Sequence, residues 1–294
     1  KDHAKNLLQE LSFYFDETLV TALLNAPQTH EREIAQQRDR VATLKRLLKD
    51  MPFSKAQQLR EVADALVSKS VWIIGGDGWA YDIGFGGLDH VLSSGRNVNI
   101  LVLDNEVYAN TGGQMSKATP YGASAKFASK GKKKQKKDLG ILAMQYDDVY
   151  VASVAIGADP EHTLKAFLEA EAHDGPSLII AYCHSITHGI DSKYPSKYHK
   201  AAVASGQWLL YRNNPKRILE GMPALQLDSE SPKIPVAHYL AMEERFQNVF
   251  ENSRDSFGGV WIKDAQQAVN KRFAKYQAMA GIRDVVRSTV YEPV

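Results

Sequence analysis

Residues 71–87 read VWIIGGDGWAYDIGFGG, and residues 97–114 read NVNILVLDNEVYANTGGQ. Each segment begins with a short apolar run and ends in a loop rich in glycine and polar side chains. This is the pattern of a buried β-strand that leads into a loop. Ligand sites concentrate at such places in open α/β sheets, so these two segments are the starting point for both fold and function.

Two further apolar runs, VYVASVAIG at 149–157 and PSLIIAYC at 176–183, have the same strand character. Between them, Asp159 and Pro160 form a suitable cap and first turn for a helix. Strands that alternate with helices indicate a parallel sheet with helices on both faces. The predicted fold class is therefore α/β, with a doubly wound and mostly parallel sheet.

Helical segments are predicted on both sides of this sheet. Residues 1–69 are polar, and the stretch 31–49 has strong helix formers with an apolar face, so we expect a helical segment of the same domain. The α/β core is predicted to span residues 70–212. Residues 213–294 contain amphipathic stretches, including 238–251, and are predicted to form a C-terminal helical extension.

The composition excludes several classes of protein. The 294 residues are 44% hydrophobic and 24% charged, which is ordinary for a globular protein and rules out disorder. The 36 basic and 34 acidic residues are too balanced to indicate nucleic acid as a partner, and no apolar run is long enough for a membrane span. A single cysteine excludes an internal disulfide and favours a cytoplasmic location. Because the chain starts without Met, we expect a piece of a longer protein.

The glycine-rich loop after the first strand carries an acidic residue, Asp77, between Gly76 and Gly78. Glycines allow a ligand close to the backbone, and the helix start that follows offers free N–H groups to a phosphate. The Asp77 carboxylate would repel a bare pyrophosphate, so we expect Mg²⁺, which prefers hard oxygen ligands, between the two. A tight turn with a helix-capping Asp is the alternative interpretation of this loop.

The loop after the second strand can supply further oxygen ligands. Asn105 follows Asp77 by 28 residues, about one helix and one strand. A βαβ unit of that length brings both strand ends to the same edge of the sheet. The Asn105 side-chain oxygen and a nearby backbone carbonyl can then complete the coordination of Mg²⁺ that Asp77 begins.

A Gly-Asp-Gly motif followed at this interval by an Asn-bearing loop is the thiamine diphosphate fingerprint. Residues 76–95, GDGWAYDIGFGGLDHVLSSG, and 103–128, LDNEVYANTGGQMSKATPYGASAKFA, closely resemble the C-terminal region of pyruvate:ferredoxin (flavodoxin) oxidoreductases. The resemblance covers at least residues 70–190 and continues more weakly to about residue 285. It implies that the α/β core is of the thiamine diphosphate-binding type.

The resemblance also implies a set of site residues. Mg²⁺ would be held by Asp77, the side chain of Asn105 and the carbonyl of Val107. Asn110 would lie near the reactive thiazolium, which makes it the predicted catalytic residue. The other residues predicted to line the cofactor are Gly76, Gly78, Trp79, Glu106, Tyr108 and Ala109.

The activity that the resemblance implies is oxidative decarboxylation of pyruvate, or another 2-oxo acid, to CO₂ and acetyl-coenzyme A. Electrons would pass through iron–sulfur clusters to ferredoxin or flavodoxin. The expected partners are the remaining domains or subunits of the oxidoreductase, in a homodimer. The family takes an activating Glu and three ligands of the proximal cluster from upstream segments that this sequence does not include.

The fourth ligand of a [4Fe–4S] cluster should lie in a run like Ala-Tyr-x-x-Cys-Ile-x-x-Gly. Here residues 181–189 read AYCHSITHG, so Cys183 stands two positions early and Ser185 occupies the usual place. Two interpretations stay open: Cys183 ligates a cluster after a local shift of the loop, or it is a buried structural thiol. His184 and His188 flank the same loop, and no third ligand is visible, which favours loop histidines over zinc.

Two other functions compete with this hypothesis. A non-redox thiamine diphosphate-dependent decarboxylase or ligase would need no cluster, and the altered Cys183 loop favours it slightly. A non-catalytic scaffold domain in a redox complex is the second alternative, which the presence of Asp77 and Asn105 disfavours. The biased segment 130–137, KGKKKQKK, is either a docking patch for an acidic electron carrier or a solvated loop.

Overall fold

The computed structural model describes residues 1–251 and 258–282, and the chain divides into two compact units at Ser70. The first unit is a group of helices around its own apolar core. Its helices are α1 (Asp2–Glu10), α2 (Glu17–Asn25), α3 (Glu31–Leu48) and α4 (Ser54–Val62). The core of this unit includes the fully buried side chains of Leu8, Leu44, Leu48, Leu59 and Leu66.

Local sequence explains where two of these helices begin. The Asp16 carboxylate accepts hydrogen bonds from the backbone N–H groups of Thr18 and Leu19 and so caps α2. At the start of α3, the Glu33 carboxylate accepts from the Thr29 N–H at 2.8 Å. The Asp16 contacts satisfy N–H groups that the first turn of a helix leaves without partners, and the Glu33 contact ties the start of α3 to the residue before its N-cap.

The second unit is built on a six-stranded sheet with the order β1-β2-β4-β3-β5-β6. Its strands are β1 (Trp72–Gly76), β2 (Asn99–Asp104), β3 (Tyr150–Val154), β4 (Ser177–Tyr182), β5 (Tyr211–Asn213) and β6 (Leu225–Leu227). The first four strands are parallel to one another, β5 runs antiparallel to β3, and β6 runs antiparallel to β5. The predicted α/β fold with a mostly parallel sheet is confirmed.

The two antiparallel strands differ from the sequence analysis, which predicted helical structure after about residue 212. Each has only three residues, too few for the alternation of apolar and polar side chains to identify a strand. Their positions come from pairing, since Tyr211 lies opposite Ser153 of β3 on one side and Leu227 of β6 on the other.

Helices connect the strands and cover the sheet. They are α5 (Phe85–Leu92), α6 (Leu139–Ala143), α7 (Pro160–Glu171), α8 (Pro195–Ala204), α9 (Lys216–Leu219), α10 (Val236–Leu240), α11 (Gln247–Glu251) and α12 (Gly258–Met279). Helix α7 confirms the predicted start at Asp159 and Pro160, since the Asp159 side chain accepts from the His162 N–H at 2.8 Å. Within the described residues, no helix combines the length and apolar character needed to cross a membrane.

The amphipathic stretch 238–251 is interrupted rather than forming one helix. Helix α10 ends at Leu240, Glu243 has extended backbone, and α11 begins at Gln247. The physical reason is charge burial: Glu243 and Arg245 turn inward, where the Arg245 Nε donates to the Glu243 carboxylate at 2.6 Å. In a continuous helix, side chains two residues apart lie on different faces, so Glu243 and Arg245 could not form this contact.

The two faces of the sheet are covered to different extents. One face packs into the large core, where Ile100 and Val102 are fully buried. On the other face, α7 covers β3 and β4, and its Phe167 ring stacks on Trp72 at 5.4 Å between ring centroids. The Ile74 side chain of β1 remains 62% exposed there.

This asymmetry gives a matched pair of variants for stability. We expect Ile100→Ala to lower the free energy of unfolding by about 2–5 kcal/mol, because it removes a buried side chain and leaves a cavity. Ile74→Ala, on the neighbouring strand, should change it by no more than about 0.5 kcal/mol. Urea unfolding followed by circular dichroism measures both, and equal losses would contradict the assignment of the two faces.

Candidate functional site

The candidate site lies where three neighbouring parallel strands end. In the register of the sheet, Gly76 of β1 lies beside Leu103 of β2, and Asp104 of β2 lies beside Tyr182 of β4. The next residues along these strands are Asp77, Asn105 and Cys183. The topology therefore brings the predicted metal-binding residues and the only cysteine of the chain to one edge of the sheet.

Three oxygen-bearing groups meet at this edge. The terminal amide of Asn105 lies 2.7 Å from Asp77 Oδ1 and 2.7 Å from the carbonyl oxygen of Val107. With its nitrogen in this position, the amide donates to both oxygens. With its oxygen there, three acceptors face one another, an arrangement that a cation stabilises. Ser116 Oγ donates to Asp77 Oδ2 at 2.7 Å and leaves Oδ1 for this contact.

The electrostatics of Asp77 fit a cation site. Burial, together with the neighbouring Asp104 carboxylate, raises the pKa of Asp77 to about 7. Its side chain is almost completely removed from solvent, with 2% exposure. A carboxylate in such surroundings is stabilised in its ionised form by a nearby positive charge. The donor set, one carboxylate, one amide oxygen and one carbonyl, suits Mg²⁺.

The loop after β1 continues as a π-helical turn over Gly78–Ile83. Such turns are rare and occur frequently at functional sites. Gly78 is buried under the ring of Tyr108, whose hydroxyl donates to the Gly78 carbonyl at 3.1 Å. The Trp79 ring packs between Gly75 and Gly84, where a Cβ would overlap it. Two aromatic rings therefore fix the backbone of this loop.

The loop after β2 forms a narrow hairpin. Tyr108 N–H donates to the Gln114 carbonyl at 2.9 Å, and Gly113 N–H donates back to the Tyr108 carbonyl at 2.8 Å. Ala109 is half-buried, and Asn110 is exposed near the tip. The structure thus places Asp77, Asn105 and Val107 in contact, whereas Asn110 is exposed to solvent.

The sequence does not predict that some lysines of the segment 130–137 point into the protein and contact the loops of the candidate site. Lys130, Lys133 and Lys134 are exposed, as a solvated loop requires. Lys132 is buried, and its Nζ donates to the carbonyl oxygens of Ser116, Lys117 and Thr119 at 2.6–3.2 Å. Burial lowers the pKa of Lys132 to about 8. No periodicity in KGKKKQKK distinguishes the inward lysines from the outward ones.

Lys136 and Lys137 attach the same segment to both loops of the site. Lys136 Nζ lies 2.7 Å from Asp104 Oδ2 and 3.0 Å from Glu106 Oε1. Lys137 Nζ donates to the Tyr81 carbonyl at 3.0 Å. These contacts make part of the lysine-rich segment a structural component of the candidate site.

Arg245 is a second missed residue. Its Nη2 lies 2.7 Å from Glu106 Oε2, and its Nε lies 2.6 Å from Glu243 Oε2, with all three side chains buried. Burial opposes the charge on Glu106, yet Lys136 and Arg245 lower its pKa to about 2. Glu106, which the resemblance implies lines the cofactor, is a buried carboxylate that forms ion pairs with Lys136 and Arg245.

The loop after β4 places its two histidines, His188 and His184, in different surroundings. His188 Nε2 donates to the Asn105 carbonyl at 2.7 Å, which ties this loop to the candidate metal site. His184 Nδ1 lies 3.0 Å from His199 Nε2 instead. Among the described residues, no group of three or more His, Cys, Asp or Glu side chains is arranged to hold a metal ion.

Cys183 is half-buried, and its Sγ lies 3.5 Å from the Ala181 carbonyl. Burial and the carboxylates of Asp104 and Asp77 raise the pKa of the Cys183 thiol to about 11. Cluster ligands are thiolates, so a cluster at this position would have to displace the proton from the Cys183 thiol. Ligation by Cys183 stays a prediction that no contact in the described residues supports.

Comparison with known proteins identifies first the class of domain. Residues 51–181 match the family model of the thiamine pyrophosphate enzymes, described as their C-terminal TPP binding domain. This range contains β1, β2, β3, most of β4 and both loops that carry the converging oxygen groups. The fingerprint recognised in the sequence is therefore confirmed.

The relatives are more specific. The chain is 57% identical over 94% of its length to pyruvate-flavodoxin oxidoreductase of Trichormus variabilis, covering 24% of that protein. It is 51% identical over 74% of its length to pyruvate:ferredoxin oxidoreductase of Moorella thermoacetica, covering 18%. A third relative is pyruvate dehydrogenase [NADP(+)] of Cryptosporidium parvum. It is 45% identical over 80% of this chain, and the match covers 13% of that protein.

The chain thus belongs to the pyruvate:ferredoxin (flavodoxin) oxidoreductase family as a thiamine diphosphate-binding region. It spans between 13% and 24% of the length of these three relatives. A solved 2-oxoglutarate:ferredoxin oxidoreductase from Magnetococcus marinus aligns with 39% of the chain at 24% identity and a TM-score of 0.37, too low to support an argument.

The packing of Tyr108 on Gly78 can be tested with a matched pair of glycine variants. We expect Gly78→Ala to lower the free energy of unfolding by about 1–3 kcal/mol, because the new Cβ overlaps the Tyr108 ring and forces the hairpin away. Gly76→Ala has no heavy atom within 4 Å of the added Cβ and should be nearly neutral. Thermal unfolding compares the two, and a neutral Gly78→Ala would show that the rings do not fix this loop.

Proposed function

We propose that this chain is the cofactor-binding part of a thiamine diphosphate-dependent oxidoreductase that decarboxylates pyruvate to CO₂ and acetyl-coenzyme A. The observation that carries the proposal is the convergence of Asp77, the Asn105 amide and the Val107 carbonyl within 2.7 Å contacts at the carboxyl edge of the sheet. The names of the relatives support pyruvate as the substrate and flavodoxin or ferredoxin as the acceptor.

In this proposal, Asp77, Asn105 and Val107 would hold Mg²⁺ against the diphosphate. When bound, thiamine diphosphate supplies the carbanion chemistry that 2-oxo acid decarboxylation requires. The chain's own contribution is to bind and orient. Gly76 has open space around it and would let the phosphates approach the backbone, and the loop from Asn105 to Asn110 would lie beside the cofactor.

Apolar side chains around the site support a larger assembly. Ile83, Phe127 and Ile186, on loops near the carboxyl edge, are 84%, 84% and 78% exposed. Exposed apolar side chains at a site rimmed by polar residues are typical of interaction surfaces. We propose that the remaining domains or subunits of a homodimeric enzyme cover this edge and exclude water from the cofactor.

In this proposal, the electron acceptor is determined by parts of the enzyme outside this region. Relatives named for flavodoxin, for ferredoxin and for NADP⁺ share this region at 45–57% identity. A common cofactor-binding region with different acceptors implies that other parts of those proteins choose the acceptor. Iron–sulfur clusters would belong to those other parts, in a cytoplasmic enzyme with a reduced Cys183.

Cofactor binding tests the proposal directly. We expect Asp77→Asn to abolish Mg²⁺-dependent binding of thiamine diphosphate, because the substitution removes the only carboxylate among the three converging groups. Asp89→Asn, in the exposed surface of α5, is the matched control and should bind like the unaltered protein. Isothermal titration calorimetry measures the affinity, and unchanged binding in Asp77→Asn would contradict the assignment.

Iron content separates the two interpretations of Cys183. In the complete enzyme, Cys183→Ala should leave iron content and the electron paramagnetic resonance spectrum unchanged if the thiol is structural, because no cluster then loses a ligand. Loss of about one cluster per chain would instead establish Cys183 as a ligand. Ser185→Ala serves as the control at the position where the family carries its cysteine.

A further inference from the structure

Glu106 adopts a backbone conformation that side chains rarely occupy. Its φ is 64°, and it lies between the two residues, Asn105 and Val107, whose oxygens converge on Asp77. A left-handed residue other than glycine costs free energy and persists only where its surroundings fix it. The direction of the Val107 carbonyl relative to the Asn105 side chain depends on the backbone conformation of the residue between them, Glu106.

Contacts on both sides of Asn105 fix this turn. Asp104 Oδ1 accepts the Glu106 N–H at 3.1 Å, and Thr119 Oγ1 donates to the Glu106 carbonyl at 2.7 Å. Lys136 Nζ joins the Asp104 carboxylate to the Glu106 carboxylate, at 2.7 and 3.0 Å. Lys136 therefore connects the residue before Asn105 with the residue after it, and its Nζ contacts neither Asn105 nor Val107 in the described structure.

We propose that Lys136 is a positioning residue for Mg²⁺-dependent cofactor binding. By joining Asp104 and Glu106, it holds the intervening turn so that the Asn105 amide and the Val107 carbonyl point at Asp77. The inference rests on the proposed thiamine diphosphate site and adds a residue from the lysine-rich segment to it. Arg245 supports the same carboxylate from the other side, through Glu106 Oε2.

The sign of the effect distinguishes positioning from simple electrostatics. Lys136 is a cation near the site, so its charge alone repels Mg²⁺, and removing that charge should tighten metal binding. Loss of positioning acts in the opposite direction, because residues that orient metal ligands typically contribute about 10–100-fold to metal affinity. A weaker Mg²⁺ affinity in a variant without the Lys136 charge is therefore expected only if Lys136 orients the ligands.

The decisive variant is Lys136→Met, which keeps the length of the side chain and removes its charge. Thiamine diphosphate is titrated calorimetrically into the full chain at a series of Mg²⁺ concentrations, which gives the apparent dissociation constant for Mg²⁺. We expect it to rise about tenfold or more. Lys133→Met, an exposed lysine of the same segment, is the matched control and should leave the constant within about twofold.

A double variant covers the case in which Lys136→Met does not fold. Lys136→Met with Glu106→Gln removes one positive and one negative charge, so the net charge is unchanged and Glu106 leaves no unpaired carboxylate. In this variant the Asp104 carboxylate still accepts the hydrogen bond from the Tyr81 hydroxyl, and Arg245 still forms its ion pair with Glu243. We expect this variant to fold and to show a similarly weakened Mg²⁺ affinity.

The outcomes separate this inference from the proposed function. Tighter or unchanged Mg²⁺ binding in Lys136→Met, or in the double variant, overturns the positioning role while the cofactor site stands. If the unaltered chain binds thiamine diphosphate without any dependence on Mg²⁺, the proposed site itself fails, and the positioning role fails with it. Weaker Mg²⁺ binding in folded variants, with a normal Lys133→Met control, establishes the role.

Discussion

The arrangement of the site depends on the burial of carboxylates at one edge of the sheet. Asp77, Asp104 and Glu106 are 2%, 0% and 1% exposed, and such a group of like charges is unstable without compensation. Lys136 and Arg245 compensate Asp104 and Glu106 through direct ion pairs. No cation of the protein forms an ion pair with Asp77 in the described residues, which leaves this carboxylate suited to a metal ion.

The same constraint explains why distant segments of the chain converge here. Lys136 comes from the loop before α6, Arg245 from the turn before α11, and His188 from the loop after β4. Each is far from Asn105 in sequence, yet each contacts Asn105 or a residue next to it. The parallel sheet supplies the edge, and these long-range contacts determine the conformation of its loops.

Asp77, the Asn105 amide and the Val107 carbonyl converge at the edge of the sheet, and Ile83, Phe127 and Ile186 are exposed apolar side chains of the same unit. Relatives whose names give three different electron acceptors share this region, and in each it is a minor part of a much longer chain. This distribution fits a division of labour in which one region holds the cofactor and others supply substrate contacts and electron transfer. Function then resides in the site rather than in the fold alone.

The sequence by itself determined the four parallel strands, the helix at Asp159, and the loops that carry Asp77 and Asn105. These features follow from local patterns: apolar runs, glycines and the length of a βαβ unit. The tertiary structure alone decided that β5 and β6 pair as three-residue strands, that Lys132 and Lys136 turn inward, and that Arg245 reaches Glu106. Those outcomes depend on long-range pairing and on charge burial, and identical lysines in KGKKKQKK carry no local signal of which ones will be buried.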